Sequence, residues 1–237
     1  MVEEKDDNII LVEETYNEIG YLFSPMLSEE SGSRKEIEAV DELLSLIRDK
    51  DNSIIADLGC GVGKHGRYCA KKGYRVTGLD ISKIMIELAD NYNNMEGYAK
   101  IDLLKIADMC DFYTDEIYDG VISLYSFIHL TYEQAIKALN NLKRYLKKGA
   151  YVAISVYKGD RNGIYPEILQ GKHKHDLKTF IRDYQMDEFK KLFNDTGYSV
   201  VRTSEWSDTD DLTAACEEWD SGVLYIIAQY GGCVDEI

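Results

Sequence analysis

Ser53-Ile54-Ile55-Ala56-Asp57-Leu58-Gly59-Cys60-Gly61-Val62-Gly63-Lys64-His65-Gly66 is the stretch from which the fold can be read. Ser53 to Asp57 is a short apolar run ending in an acid, the pattern of a buried strand. Glycines follow at 59, 61 and 63. Without a Cβ they let the chain turn sharply and bring backbone against a ligand. Residues 64–72 then read as a helix closed by Gly73. The free N–H groups at such a helix start favour a carboxylate or other anion.

Outward from this unit the pattern repeats. Tyr74–Leu79 reads as a second strand ending at Asp80, and Ser82 as the N-cap of a helix running through Tyr92. Tyr98–Ile101 reads as a third strand followed by Asp102, and Tyr118–Leu124 as a fourth. Thr131 and Gln134 have capping-box spacing, opening a helix that buries Ala135, Ala138, Leu139, Leu142 and Leu146 and ends at Gly149. Ala150–Val156 is a fifth strand. Upstream, Ile37, Val40, Leu44 and Ile47 share one face of a helix over 35–49, and Ile9–Ser33 reads as a short helix and loop packed over the domain.

Strands alternating with helices imply right-handed crossovers and a parallel sheet. The tail breaks the pattern. A helix at 187–196 stops at Gly197, and strands near Tyr198–Thr203 and Val223–Tyr230 have no crossover helix between them. They are expected to pair as an antiparallel terminal hairpin, joined by an acidic surface loop over 204–222. The expected fold is therefore α/β: a three-layer Rossmann-like sandwich on a seven-stranded, mostly parallel sheet, with residues 1–237 as a single domain.

Composition narrows the function. The 237 residues carry a formal net charge of -16. Nucleic-acid binding depends on Lys and Arg against phosphates, and the densest basic stretch, Lys172-His173-Lys174-His175, is short. Nucleic acid and anionic membrane are not expected partners. The five cysteines include no CxxC pair, so neither a disulfide framework nor a zinc knuckle is expected. His173 and His175 have the spacing of a metal pair on a strand, but no acid and cysteine set completes a site, and no metal is expected. The acidic N-terminus lacks the pattern of a signal peptide, and no apolar run reaches membrane-spanning length. A cytoplasmic setting is expected; the oligomeric state is left open.

Ligands of open α/β sheets bind beyond the carboxyl ends of the strands. Asp57, Asp80 and Asp102 are each expected at that edge. Gly61-Val62-Gly63-Lys64-His65-Gly66 also fits the G-x-G-x-x-G dinucleotide pattern, with Asp80 about 20 residues on. Two details oppose a dinucleotide. The sharp turn falls at Gly59, and Asp57 just before it would repel a pyrophosphate. A cationic, phosphate-free ligand suits these acids better.

Here the sequence resembles the class I S-adenosylmethionine-dependent methyltransferases. Asp57-Leu58-Gly59-Cys60-Gly61-Val62-Gly63 is similar to their first motif, Gly78-Leu79-Asp80-Ile81-Ser82 to the second, and Tyr118-Asp119-Gly120-Val121-Ile122-Ser123 to the fourth. Lys147-Lys148-Gly149-Ala150-Tyr151 resembles a common Leu-x-Pro-Gly-Gly turn without its proline and second glycine. The resemblance spans about residues 50–156 and implies S-adenosylmethionine as cofactor. It places Asp57, Gly59, Cys60 and Gly61 on the loop against the cofactor, Asp80 and Ile81 at its ribose, Asp102 and Leu103 at its adenine, and Leu124 and Tyr125 beyond the fourth strand. It implies that residues 1–34 fold over the site, with Tyr16 or Arg34 toward the cofactor's carboxylate, and that 157–185 holds acceptor specificity.

His129 follows the fourth strand and is the candidate general base, although packing or cofactor contact also suits that position. No Asn-Pro-Pro-Tyr-like motif follows the strand, where the chain reads Ser123-Leu124-Tyr125-Ser126. With the acidic charge, this points to methyl transfer to a small-molecule acceptor by in-line displacement. The alternatives are an NAD(P)-dependent oxidoreductase and a non-catalytic S-adenosylmethionine-binding module.

Overall fold

The computed structural model describes residues 6–23, 34–169, 172–207 and 222–231. The helices are α1 (Asp7–Phe23), α2 (Arg34–Leu46), α3 (Lys64–Lys71), α4 (Lys83–Asn93), α5 (Tyr132–Leu142) and α6 (Met186–Asp195). The strands are β1 (Ile54–Leu58), β2 (Arg75–Asp80), β3 (Leu103–Ile106), β4 (Tyr118–Leu124), β5 (Leu146–Tyr157), β6 (Asn162–Leu169), β7 (Lys172–Arg182), β8 (Tyr198–Ser207) and β9 (Gly222–Tyr230).

Seven strands form one sheet in the order β3-β2-β1-β4-β5-β9-β8. The first five are mutually parallel, and β9 runs antiparallel to both β5 and β8. The chain order reverses between β1 and β4, which opens a crevice beyond their carboxyl ends.

Strand alternation builds the two cores. Ile54, Ala56 and Leu58 point to one face of the sheet, where they meet Ala138, Leu139 and Phe189 from α5 and α6. Ile55 points to the other face, with Val40 and Leu43 of α2 and Cys69 of α3. Residues i and i+2 of a strand share a face, so β1, buried at every position, needs helices on both sides.

The caps form as read. The Ser82 side chain accepts from Met85 N at the start of α4, and Thr131 and Gln134 make a reciprocal capping box at α5. Among the described residues no helix is long and apolar enough to cross a membrane.

Three expectations are corrected. The third strand is Leu103–Ile106, not Tyr98–Ile101. Both backbone polar groups of Ile101 are taken by the Asn93 side-chain amide, each at 3.0 Å, so this segment needs no strand partner. The helix opened by Thr131 ends at Leu142, and β5 starts at Leu146, already paired with Tyr118. Between the fifth strand and α6 lies a separate antiparallel hairpin, β6–β7. His173 and His175 stand on β7, with their side chains outside the described residues. The 208–221 part of the acidic connection, Cys216 and Cys233 are outside them as well.

α1 is longer than the expected short helix. It lies across α4 and β7: Ser82 Oγ donates to Asn17 Oδ1 at 2.9 Å, and Thr15 Oγ1 donates to the Lys178 carbonyl at 2.6 Å. The segment thus covers the crevice.

Candidate active site

The glycine loop is held at its first turn. Gly59 N and Cys60 N both donate to the Leu79 carbonyl, at 2.7 and 3.0 Å. Gly59 has φ +66°, and a Cβ there would sit 2.2 Å from Ser126 Oγ. Gly61 has φ +53°, but a Cβ there would meet nothing within 4 Å. One glycine is packed against the protein; the other faces open space.

Asp57 is buried, and its Oδ2 accepts from Gly66 N at 2.8 Å. Burial raises its pKa to about 6, against the pull of His65, the Gly66 amide and Arg67. It ties the loop to the first turn of α3 and does not line the cavity beyond the sheet. Asp80, at the end of β2, does. Its Oδ2 accepts from Gly61 N at 2.8 Å and its Oδ1 from Ser82 N at 2.9 Å. Burial raises its pKa to about 6 although both amides favour the carboxylate.

That cavity, of about 210 Å³, is lined by Tyr16, Gly59, Cys60, Gly61, Asp80, Ile81, Leu124, Tyr125 and His129, all expected from sequence. Asp102 and Leu103 are not among its walls. Leu103 pairs with Thr77 low on β2, so the acid before it is at the wrong end of the strand. Asp102 Oδ2 instead accepts from Val76 N at 2.8 Å. The acid beyond the carboxyl end of β3 is Asp108, which lines the cavity with Ala107 and Met109. The signal for it was present in Leu-Leu-Lys-Ile-Ala-Asp (103–108), but β3 is a half-exposed edge strand.

Arg34 also falls outside: its side chain is 89% exposed and pairs with Glu38. Tyr21 is exposed. Sequence reading missed a cluster at the cavity wall formed by Glu36, Lys64 and His65. Glu36 Oε2 bonds both Lys64 Nζ and His65 Nε2, the latter at 2.9 Å. Burial raises the Glu36 pKa, but the two basic partners outweigh it and bring it to about 2. α2 carries Glu36 to the start of α3, a contact no local pattern announces.

Tyr125, just past β4, has φ +59°. That conformation is uncommon for a residue with a side chain and marks a locally constrained backbone. Tyr125 N donates to Ser155 O at 3.2 Å and Ser155 Oγ at 3.1 Å, and the ring packs on Tyr157 at 5.5 Å between centroids.

His129 sits in a short 3₁₀ turn, Phe127–His129. Its Nδ1 is 2.8 Å from the Phe180 carbonyl on β7, and its Nε2 is 2.8 Å from the Tyr16 hydroxyl on α1. Burial lowers its pKa to about 4, so the ring is neutral at pH 7.

The sequence profile of the methyltransferase domain family matches residues 55–149, the segment from β1 into β5. An O-methyltransferase of Aspergillus nomiae is 27% identical over 83% of this chain and 86% of its own length. A ubiquinone biosynthesis O-methyltransferase of Rickettsia prowazekii is 25% identical over 73% of each chain. Among solved structures, the magnesium protoporphyrin IX methyltransferase of Synechocystis with bound S-adenosylmethionine shares the fold. Its TM-score is 0.65 at 19% identity, covering 97% of this chain and 100% of that one.

The chain carries a methyltransferase domain over residues 55–149, on the fold of the class I S-adenosylmethionine-dependent methyltransferases. That Synechocystis enzyme has been solved with bound S-adenosylmethionine and with bound S-adenosylhomocysteine. The reading as an NAD(P)-dependent oxidoreductase or a non-catalytic module is set aside. In the methyltransferase, Gly61 to Gly66 matches the dinucleotide pattern only by spacing, because α3 already begins at Lys64 and the Gly66 amide is engaged by Asp57.

Proposed function

We propose that the enzyme methylates a small molecule in the cytoplasm, with residues 1–237 acting as one domain and the cavity beyond β1, β2 and β4 holding donor and acceptor together. The observation that carries this is the pair Asp80 and Asp108, which follow adjacent strands onto the wall of one cavity floored by Gly59 and Gly61. Acids rather than basic groups at these strand ends fit a cationic ligand without phosphate. The open space at Gly61 is a cradle that any larger residue would fill.

In this reading Gly59, Cys60 and Gly61 hold the donor by backbone contact. Asp80 accepts from its ribose hydroxyls and Asp108 from its adenine amine, the role first expected of Asp102. Ile81, Met109, Leu124 and Tyr125 provide apolar and aromatic walls. Lys64 and His65 offer charge to its carboxylate and Glu36 to its ammonium. When bound, the donor supplies a methyl group on a sulfonium, already a good leaving system. The protein's main task is alignment, which can lower a barrier by roughly 7–11 kcal/mol. α1 lines one side of the cavity with Ile9, Val12 and Tyr16 and is itself held by β7 of the hairpin through Thr15.

The small-molecule acceptor is supported by the acidic surface charge, by the absence of a long basic run in the sequence, and by the O-methyltransferases among the relatives. Titration calorimetry with S-adenosylhomocysteine tests the donor site, with micromolar binding expected. No binding at millimolar ligand, or binding of NADH in its place, overturns the reading. A screen of metabolite extract against labelled donor, compared with tRNA and DNA, tests the acceptor class.

A further inference from the structure

We propose that Arg161, at the root of the β6–β7 hairpin, is a positioning residue for the donor cavity. It holds the ring of Tyr157, and Tyr157 holds the ring of Tyr125 in the cavity wall. This rests on the reading of the cavity as the donor site and names what sets one of its walls.

Tyr125 lines the cavity, and its φ of +59° is a conformation that a residue with a side chain adopts only at a cost. Such a backbone persists where its surroundings over-determine it. Two contacts contribute here. The Tyr125 amide donates to the Ser155 carbonyl at 3.2 Å and to the Ser155 hydroxyl at 3.1 Å, which fixes the backbone. Those bonds leave the side-chain torsions free. The ring packs on that of Tyr157, with 5.5 Å between centroids and 44° between planes, and this contact fixes the side chain.

Tyr157 ends β5, and its ring carries a cation. The Arg161 guanidinium carbon lies 5.1 Å from the Tyr157 ring centroid, within cation–π distance. Arg161 is anchored in turn by Asp183. Its Nε and its backbone amide donate to Asp183 Oδ2 at 2.7 and 3.1 Å, and Asp183 N donates to the Arg161 carbonyl at 2.8 Å. An ion pair in water holds its partners loosely. These two side chains are only 15% and 3% exposed, so the pair is largely removed from water and its geometry is held. A guanidinium tied through Nε to a buried carboxylate keeps little freedom to leave the ring beside it.

The same root joins the hairpin to the strand, because Tyr184 N donates to the Tyr157 carbonyl at 2.9 Å. Farther along β7, the Phe180 carbonyl meets His129 and the Lys178 carbonyl accepts from Thr15 of α1. The hairpin thus reaches the cavity from two directions, through α1 and His129 and through Tyr157 and Tyr125. Neither Tyr157 nor Arg161 is among the described residues that line the cavity. Their effect on a bound donor passes through Tyr125.

Calorimetry with S-adenosylhomocysteine tests this. Tyr157→Leu removes the ring that holds Tyr125, and Arg161→Met removes the cation that holds Tyr157. Each should weaken S-adenosylhomocysteine about three- to tenfold, the scale of one aromatic contact. Tyr125→Leu should weaken it by a similar factor. Tyr157→Phe keeps the ring and should bind within about twofold of wild type. The decisive readout is the double variants. In a Tyr125→Leu background, neither Tyr157→Leu nor Arg161→Met should weaken binding further by more than about 1.5-fold, because residues that act through one contact are not additive. A general structural role would add its full loss to that of Tyr125→Leu. Arg161→Met strips the buried Asp183 carboxylate of its cation, so thermal unfolding is recorded alongside. Where that variant does not fold, Tyr157→Leu, which keeps the ion pair, decides. Wild-type affinity in Tyr157→Leu or in Tyr125→Leu, or losses that add in the double variants, overturns the proposal. Failure of the wild type to bind S-adenosylhomocysteine overturns the underlying reading instead.

Discussion

The carboxylate of Asp57, near the end of β1, accepts a hydrogen bond from the amide of Gly66 at 2.8 Å. This bond spans the whole glycine loop and sets where α3 begins relative to the strand. It also makes an acid that reads in sequence as a ligand contact into a brace behind the ligand wall.

Stability against pH should report that buried acid. An isolated Asp titrates near 3.9, whereas burial raises Asp57 to about 6. Between these values the folded state holds more protons than the unfolded one, so this group's contribution declines as pH rises from about 4 to 6. Asp80 acts in the same direction, and His129, lowered to about 4, acts in the opposite one. Comparing Asp57→Asn with wild type isolates the first term. The variant should gain on wild type by up to about 3 kcal/mol between pH 4 and pH 7, two pKa units of linkage. Urea denaturation at both pH values measures it, and a pH-independent difference would contradict the assignment.

Asp108 and Asp102 separate the corrected register from the expected one. Asp108→Asn should weaken S-adenosylhomocysteine about tenfold, since a charge-assisted hydrogen bond to a ligand is worth about 1.5–3 kcal/mol. Asp102→Asn should leave that affinity within about twofold and lower the melting temperature instead, because its carboxylate holds Val76 N. Calorimetry and thermal unfolding on the two variants would expose an exchange of these outcomes.

Gly59 and Gly61 are both left-handed, but they face different neighbours. Gly59→Ala places a methyl against Ser126 and should cost about 1–3 kcal/mol of stability from the strained conformation alone, and more from the clash. Gly61→Ala meets open space within the fold. It should cost the left-handed strain alone, about 1–3 kcal/mol, with no added clash, yet impair donor binding by intruding on the cavity. Stability and affinity measured side by side should therefore rank the two variants in opposite orders.

Asn93→Ala should remove both partners of the Ile101 backbone. A buried donor or acceptor left without a partner costs about 1–3 kcal/mol. Denaturant titration should show a loss of about 2–5 kcal/mol, with S-adenosylhomocysteine affinity retained in the folded fraction. A loss below about 1 kcal/mol would mean that water replaces the amide.

The parts legible in sequence are those decided by neighbours along the chain. Ile54 to Gly63 show a buried strand and a turn that tolerates little besides glycine. Ser82 and Thr131 mark helix starts because capping is a contact over three residues. The strand alternation seen in Ile54, Ile55 and Ala56 predicts a two-sided core because side chains alternate by geometry. Leu103–Ile106 was not legible: an edge strand buries little, so its composition carries little pattern.

The α/β class, the glycine loop and the place of Asp80 at the end of its strand were therefore contained in the order of residues, through propensity and spacing. Tertiary structure alone decided that Asp108 and not Asp102 reaches the cavity, that Asp57 braces from behind, and that Glu36 meets Lys64 and His65. It also brought Tyr16 of α1 and the Phe180 carbonyl of β7 to opposite sides of the His129 ring. Those groups are 113 and 51 residues from His129. Contacts at such separation are set by how whole elements pack on the sheet, and no local pattern encodes them.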